Sequence, residues 1–163
     1  MSEIVIDKAN RSDLERILEI YAHARAYMAQ NGNASQWGNG YPEKALLESD
    51  IQKGELYVMK EKERIFGVFV FIIGADPTYG VIEDGAWLSS DLYGTIHRIA
   101  SDGSVRGVLD KAVSFCESKI KHLRIDTHEN NKIMQYLIEK NGFKKCGRIY
   151  ADDGTPRIAY EKF

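Results

Sequence analysis

The chain opens on strict alternation. "EIVIDKAN" (Glu3 to Asn10) places apolar and polar side chains in turn, the period-two signature of a strand with one face buried. "SDLE" (Ser12 to Glu15) follows with the spacing of a capping box, and Leu14, Ile17, Leu18, Tyr21, Arg25 and Met28 then recur every three or four residues. That spacing predicts an amphipathic helix running to about Gln30, with its Leu and Ile side chains facing a core. "NGNASQWGNGYP" (Asn31 to Pro42) ends it, and Pro42 opens a second, shorter helix over Glu43 to Lys53.

Period two returns in the next segments. "ELYVMKE" (Glu55 to Glu61) and "IFGVFVFIIG" (Ile65 to Gly74) are rich in β-branched and aromatic residues and are separated by a short charged turn, which predicts an antiparallel hairpin. A loop through "ADPTYG" and "AWLSSDLYG" leads to the strand "TIHRIAS" (Thr95 to Ser101) and to a helix from Val108. On that helix Leu109, Ala112, Val113, Cys116 and Ile120 share one face. "HLRIDTH" (His122 to His128) is a further strand, and Asn130 and Asn131 offer an N-cap for "KIMQYLIEKNGF", whose apolar face is Ile133, Met134, Leu137 and Ile138 and whose stop is Gly142. The final segment, Lys144 to Phe163, reads as two strands around an Asp-Gly-Thr-Pro turn. The order is β-α-α-β-β-(β)-α-β-α-β-β, an α+β arrangement. It predicts a mixed sheet flanked by helices, whose parallel portion is created by the helical crossover.

Composition narrows the function. At 163 residues, with 44% hydrophobic and 28% charged side chains, the chain has the size and make-up of one soluble globular domain, 1–163. A net charge of -2, with Lys and Arg spread throughout, gives no extended positive field for nucleic acid. The Met-Ser-Glu-Ile start lacks a basic region followed by an apolar core, and no apolar run approaches the ~20 residues that span a bilayer. The expectation is therefore a cytoplasmic protein without nucleic-acid or membrane partners. Cys116 and Cys146, the only two cysteines, suggest neither a disulfide framework nor a metal motif and are read as buried thiols, with no metal expected.

The chemistry concentrates in "SDGSVRGV", between the strand and the helix at Val108. A helix N-terminus carries amides without intrahelical acceptors and roughly half a positive charge. Gly103 and Gly107 let the backbone turn amides toward an anion, Ser104 offers a hydroxyl and Arg106 a permanent charge, so a pyrophosphate fits. The plainer alternative is a tight turn with a surface arginine. The stretch matches neither the P-loop nor the Gly-x-Gly-x-x-Gly dinucleotide pattern, which disfavours nucleotide hydrolysis.

Several residues could serve an acid-base reaction nearby. The imidazole of His97 is chemically apt as a base or relay, or it is a hydrogen-bonded core histidine, depending on which sheet face it shares with Ile99 and Ser101. Glu83, and less so Asp84, could deprotonate or attract a cationic group, or could be solvated turn acids. Asp126 and His128 stand at one-face spacing, as a carboxylate-imidazole pair or as ordinary cross-strand partners. Trp37 and Tyr41 on their Gly-rich loop are either pocket walls or loop packing.

Taken together, "HRIASDGSVRGVLDKAV", "NKIMQYLIEKNGF" and the aromatic loop "SQWGNGYP" resemble the GNAT family of acetyl-coenzyme A-dependent N-acetyltransferases, and the element order does so over essentially the whole chain. The resemblance implies the family's twisted, mostly antiparallel sheet with one splayed parallel strand pair. It further implies acetyl-CoA as co-substrate and transfer to a primary amine of a small molecule or peptide by direct attack in a ternary complex, and it allows a homodimer. Carried over residue by residue, it implies that Ile99, Ala100 and Ser101 pair with pantetheine and that Gly103, Ser104, Val105, Arg106, Gly107 and Val108 hold the pyrophosphate. By the same analogy Asn131 touches the coenzyme, and Trp37 and Tyr41 look like walls of the acceptor site; the amine proton then falls to His97 or Glu83 on the chemistry of those side chains.

Two departures from the family stand out. Leu109 and Lys111 occupy positions where the family's pyrophosphate loop has glycines, so the loop is about two residues short. Ile138 occupies the position of the tyrosine that protonates the departing thiolate, and Tyr136, two residues away, is turned by roughly 200°. These departures support an alternative reading, a catalytically silent acyl-CoA sensor. A nucleotide-binding structural role is a third.

Overall fold

β1 (Ile4–Lys8) pairs antiparallel with β2 (Leu56–Glu61), and β2 pairs antiparallel with β3 (Arg64–Ile73). The computed structural model describes residues 3–163; Met1 and Ser2, which begin the N-terminal stretch considered above, lie outside the described residues. The remaining strands are β4 (Gly94–Ser101), β5 (Leu123–Thr127), β6 (Lys144–Tyr150) and β7 (Pro156–Lys162). They complete a seven-stranded sheet in the order β1-β2-β3-β4-β5-β7-β6, mostly antiparallel, with β4 and β5 parallel. Four helices flank it, α1 (Leu14–Gln30), α2 (Lys44–Gln52), α3 (Val108–Glu117) and α4 (Lys132–Lys140). This is the α+β mixed sheet predicted from the alternation of periods. Among the described residues no helix is long and apolar enough to cross a membrane.

The described chain divides into two compact units, residues 3–71 with Arg98–Val108, and Ile72–His97 with Leu109–Phe163. In the first, Ile17, Ile20 and Tyr21 of α1, Leu47 of α2, and Leu56, Val58 and Met59 of β2 are buried. β3 is buried without a break from Ile65 to Phe71, so both of its faces are covered and its sequence reads as one apolar run. Gly67 lies close under the Met59 sulfur, 3.2 Å from where a Cβ would stand. The start of α1 differs from expectation. Asn10, not Ser12, is the cap: its Oδ1 accepts the Ser12 amide at 3.1 Å, its own amide donates to Asp13 Oδ2 at 3.0 Å, and a 3-10 turn over Arg11–Asp13 precedes the helix. Two overlapping capping patterns occur in "NRSDLE", and the one that closes the extra turn prevails.

In the second unit Leu109, Ala112, Val113 and Cys116 of α3 are buried as expected. α4 departs from its predicted face, because Ile138 is fully buried while Ile133 is 40% exposed. Asn131 caps that helix, accepting the Met134 amide at 3.0 Å. The connection from β3 to β4 is pinned by a buried network. Glu161 on β7 accepts from Arg124 Nε at 2.8 Å and from the Leu88 amide at 2.6 Å and lies 2.5 Å from His122 Nε2. The Arg124 guanidinium sits 3.9 Å from the ring centres of both Trp87 and Tyr93. The same connection crosses β6 at two glycines, where a Cβ on Gly85 would fall 1.8 Å from the Cys146 carbonyl and one on Gly147 would fall 2.6 Å from the Glu83 carbonyl. Cys116 and Cys146 are both free and buried, and burial raises both thiols above their ordinary range.

Candidate functional site

The turn after β4 belongs to the first unit and is built around Asp102. The Asp102 amide donates to the Phe66 carbonyl at 3.0 Å. Asp102 Oδ1 accepts the Ser104 amide at 2.9 Å and its hydroxyl at 2.6 Å, while Oδ2 accepts from Arg16 and Arg64, each at 2.7 Å. Arg64 also donates to the Ser104 hydroxyl oxygen at 2.8 Å, so that hydroxyl both donates and accepts within the protein. Burial alone would raise the Asp102 carboxyl, but the Ser104 bonds and then Arg64 and Arg16 outweigh it and hold it below the usual range. Its negative charge is thus countered by two guanidiniums.

The two glycines do what their positions require. Gly103 at φ 79° and Gly107 at φ 73° lie in the left-handed region that side chains resist. The Gly103 amide donates to Ser101 Oγ at 3.3 Å. The amides of Val105 and Gly107 have no acceptor among the described residues. With α3 beginning at Val108, the turn offers unpaired N–H groups at the positive end of a ten-residue helix, which suits a phosphate oxygen.

Trp37 and Tyr41, named from the sequence, come together in the same unit. Trp37 meets Tyr21 edge-on at 5.7 Å between ring centres and lies 6.4 Å from Tyr41. Tyr41 stands beside Arg98, which sequence reasoning passed over. Arg98 Nη2 donates to Asp50 Oδ2 at 2.6 Å, Nη1 is 3.4 Å from the Tyr41 hydroxyl, and the Arg98 carbonyl accepts from Tyr21 at 2.7 Å. Burial pushes the Tyr21 hydroxyl up. For Arg98 burial works downward, and Tyr41 and Asp50 more than offset it.

Arg98 also has φ 49° in the middle of β4. A left-handed residue interrupts strict alternation, so the face-sharing argument that linked His97 to Ile99 and Ser101 fails at this residue. Ile99 and Ser101 are half-buried and Ala100 is buried.

His97 belongs to the second unit. Its Nε2 lies 2.6 Å from Asp76 Oδ2, and the Tyr79 ring stands 6.1 Å from the imidazole, centre to centre. Tyr79 donates to Asp126 at 2.6 Å, and its hydroxyl is raised by burial and then by that carboxylate. Asp126 is therefore a partner of Tyr79, while His128 Nδ1 accepts the Asn130 amide at 3.0 Å; the two do not form the pair their spacing suggested. Glu83 is exposed, and its backbone exchanges two 2.8 Å hydrogen bonds with Arg148. Asp84 is ion-paired with Arg148 at 2.5 Å. No hydrogen bond or ion pair joins Glu83 to His97 among the described residues. Ile138 is fully buried and Tyr136 is 65% exposed.

No family model and no curated protein matches the chain. Solved structures do. An acetyltransferase of the GNAT family from Streptococcus agalactiae is 32% identical over 98% of this chain and 95% of its own, with a TM-score of 0.85. The chain belongs to the GNAT family. The structure of a putative acetyltransferase from Staphylococcus aureus is 25% identical over 97% of both chains, with a TM-score of 0.68. A GNAT acetyltransferase from Listeria monocytogenes shares the fold at 19% identity, with a TM-score of 0.72 over 99% of this chain and 95% of its own. In this GNAT chain the glycine turn and the helix after it are the features read from sequence as a phosphate grip. Asp102, Arg16, Arg64, Arg98 and Asp76 were not read from it. Asp102 and Asp76 each had a local signal, the Asp-x-Ser or Asp-x-Thr spacing of a side-chain-closed turn.

Proposed function

We propose that the protein transfers an acetyl group from acetyl-CoA to a primary amine of a small molecule or peptide, by direct attack in a ternary complex. The observation that carries this reading is the full-length similarity, at 32% identity, to a GNAT acetyltransferase. In this reading the turn from Gly103 to Val108 holds the pyrophosphate, through the amides of Val105 and Gly107 and the Arg106 guanidinium, while the Gly103 and Ser104 amides shape the turn. The backbone of Ile99, Ala100 and Ser101 pairs with pantetheine, Asn131 adds a coenzyme contact, and Trp37 and Tyr41 bound the acceptor. Support for the phosphate role comes from the unpaired Val105 and Gly107 amides and from the neutralised Asp102. The reading sets the reaction in the cytoplasm.

An alkyl ammonium has a pKa near ~10 and must lose a proton before it is a nucleophile. His97 is the first candidate to take it and Glu83 the second. His97 is favoured because an imidazole beside a carboxylate can carry the charge it gains. The neutral amine then attacks the thioester carbon, the C–N bond forms, and the C–S bond breaks as the thiolate departs. The second proton of the attacking nitrogen ends on that thiolate. Overall the amide and the free thiol are formed and one proton is released.

The buried Ile138 supplies no hydroxyl for the leaving group, which is the observation favouring an acyl-CoA sensor instead. Calorimetry with coenzyme A and a thiol-release assay with acetyl-CoA and a panel of amines, both on the full chain, separate the readings. Amine-dependent thiol release is expected. Tight binding without release to any amine would establish the sensor, and absence of binding would remove both.

A further inference from the structure

Asp76 follows β3 and caps a 3-10 turn over Pro77–Tyr79. Its two carboxylate oxygens have separate duties. Oδ1 accepts the Thr78 amide at 2.8 Å and the Thr78 hydroxyl at 2.6 Å, which completes the cap. Oδ2 plays no part in the turn and lies 2.6 Å from His97 Nε2. The Asp76 backbone is held as well, its amide donating to the Tyr93 hydroxyl oxygen at 2.8 Å. Burial alone would raise this carboxyl, but the bonds from His97 and Thr78 prevail and bring it down to about 2.

An ionised carboxylate can only accept a hydrogen bond. At 2.6 Å from Oδ2, Nε2 must therefore carry the hydrogen, and in a neutral imidazole Nδ1 is left with its lone pair. Nδ1 has no partner among the described residues and is not sealed from solvent. Tyr79, whose ring stands by His97, donates to Asp126, and the Tyr93 hydroxyl oxygen accepts the Asp76 amide.

We infer that Asp76 is a positioning residue that holds His97 as the Nε2–H tautomer, so that Nδ1 is the atom that takes the proton from the acceptor ammonium. The inference rests on the transferase reading above. In the step, an ammonium N–H bond breaks and an Nδ1–H bond forms. The resulting imidazolium is steadied by the Asp76 carboxylate, which stays ionised, and the proton passes to solvent.

Asp76→Asn in the full chain tests it, because the carboxamide keeps an oxygen for the Thr78 amide and replaces Oδ2 with a donor. Nitrogen NMR of the histidine ring should show Nε2–H in the wild type and a shift to Nδ1–H in the variant. Kinetics should show kcat reduced about a hundredfold or more with the KM for acetyl-CoA unchanged. Thr78→Val, which loosens the cap without touching Oδ2, should keep the wild-type tautomer and turnover. A resting Nδ1–H in the wild type overturns the inference and requires no variant to fold. Wild-type kcat in a folded Asp76→Asn protein overturns it too. If the wild type acetylates no amine, the transferase reading falls and takes the proton-acceptor role of Nδ1 with it, while the ring signals still decide whether Asp76 sets the tautomer.

Discussion

Glu161 and Asp102 are each a carboxylate gripped by two basic side chains, and they occupy very different surroundings. Glu161 is fully buried between Arg124 and His122, whose side chains are 6% and 8% exposed. Asp102 is held by Arg16 and Arg64, whose side chains are 34% and 46% exposed. Water can take the place of either arginine at Asp102. At Glu161 it cannot, and three groups depend on the same two oxygens: the Arg124 guanidinium between Trp87 and Tyr93, the His122 ring, and the amide of Leu88. The same chemical grouping therefore locks a long connection in one unit and lends adjustable order to a ligand-sized turn in the other. Burial decides between these roles, because the cost of leaving a charge unpaired rises steeply once solvent is excluded.

The most severe way to probe this contrast is Glu161→Gln. It leaves the buried Arg124 without its counter-charge and should lower stability by about 3–5 kcal/mol, read as a shift in the urea unfolding midpoint. The same variant should alter the acid limb. Burial would raise Glu161, but the bonds from His122, Arg124 and the Leu88 amide hold its carboxyl below the ordinary 4.5. A depressed folded-state value means the contribution is complete above 4.5 and is lost as pH falls through the folded value. The Gln variant should be flatter with pH across that window, and an unchanged slope would mean that Glu161 is not ionised in the fold.

A smaller effect, confined to the turn, is expected from Arg106→Ala. If the Arg106 guanidinium holds the pyrophosphate as proposed, its removal should weaken coenzyme A binding about tenfold by calorimetry. Unchanged affinity would take Arg106 out of the coenzyme site. The smallest expected effect is that of Asp102→Asn on stability, at most about 1 kcal/mol. It should fade in 1 M salt, where the screening length is about 3 Å, whereas the Glu161→Gln loss should persist. If both losses responded alike to salt, the division by burial would be wrong.

Much of the fold was legible because its rules are local. Strand alternation, helical spacing of Leu109, Ala112, Val113 and Cys116, and the Asn131 cap all concern residues within a turn or two of each other. Where two local rules overlapped, at Asn10 and Ser12, the sequence did not choose between them. Ile133 likewise fits the apolar face of α4 and yet remains exposed, because spacing describes a helix but not how much of it is covered. The side-chain pairings within each unit were less legible. Asp76 and His97 are 21 residues apart, Asp50 and Arg98 are 48 apart, and Arg16 and Asp102 are 86 apart. No periodicity connects them.

By itself the sequence determined the order of elements, the mixed sheet and the glycine turn before α3, since backbone hydrogen bonding, side-chain alternation and the left-handed tolerance of Gly103 and Gly107 act between near neighbours. Tertiary structure decided which charges are paired, which nitrogen of His97 faces a carboxylate, and that Arg98 breaks the alternation of β4. Those outcomes depend on burial and on contacts between distant segments, and both exist only after the chain has closed on itself.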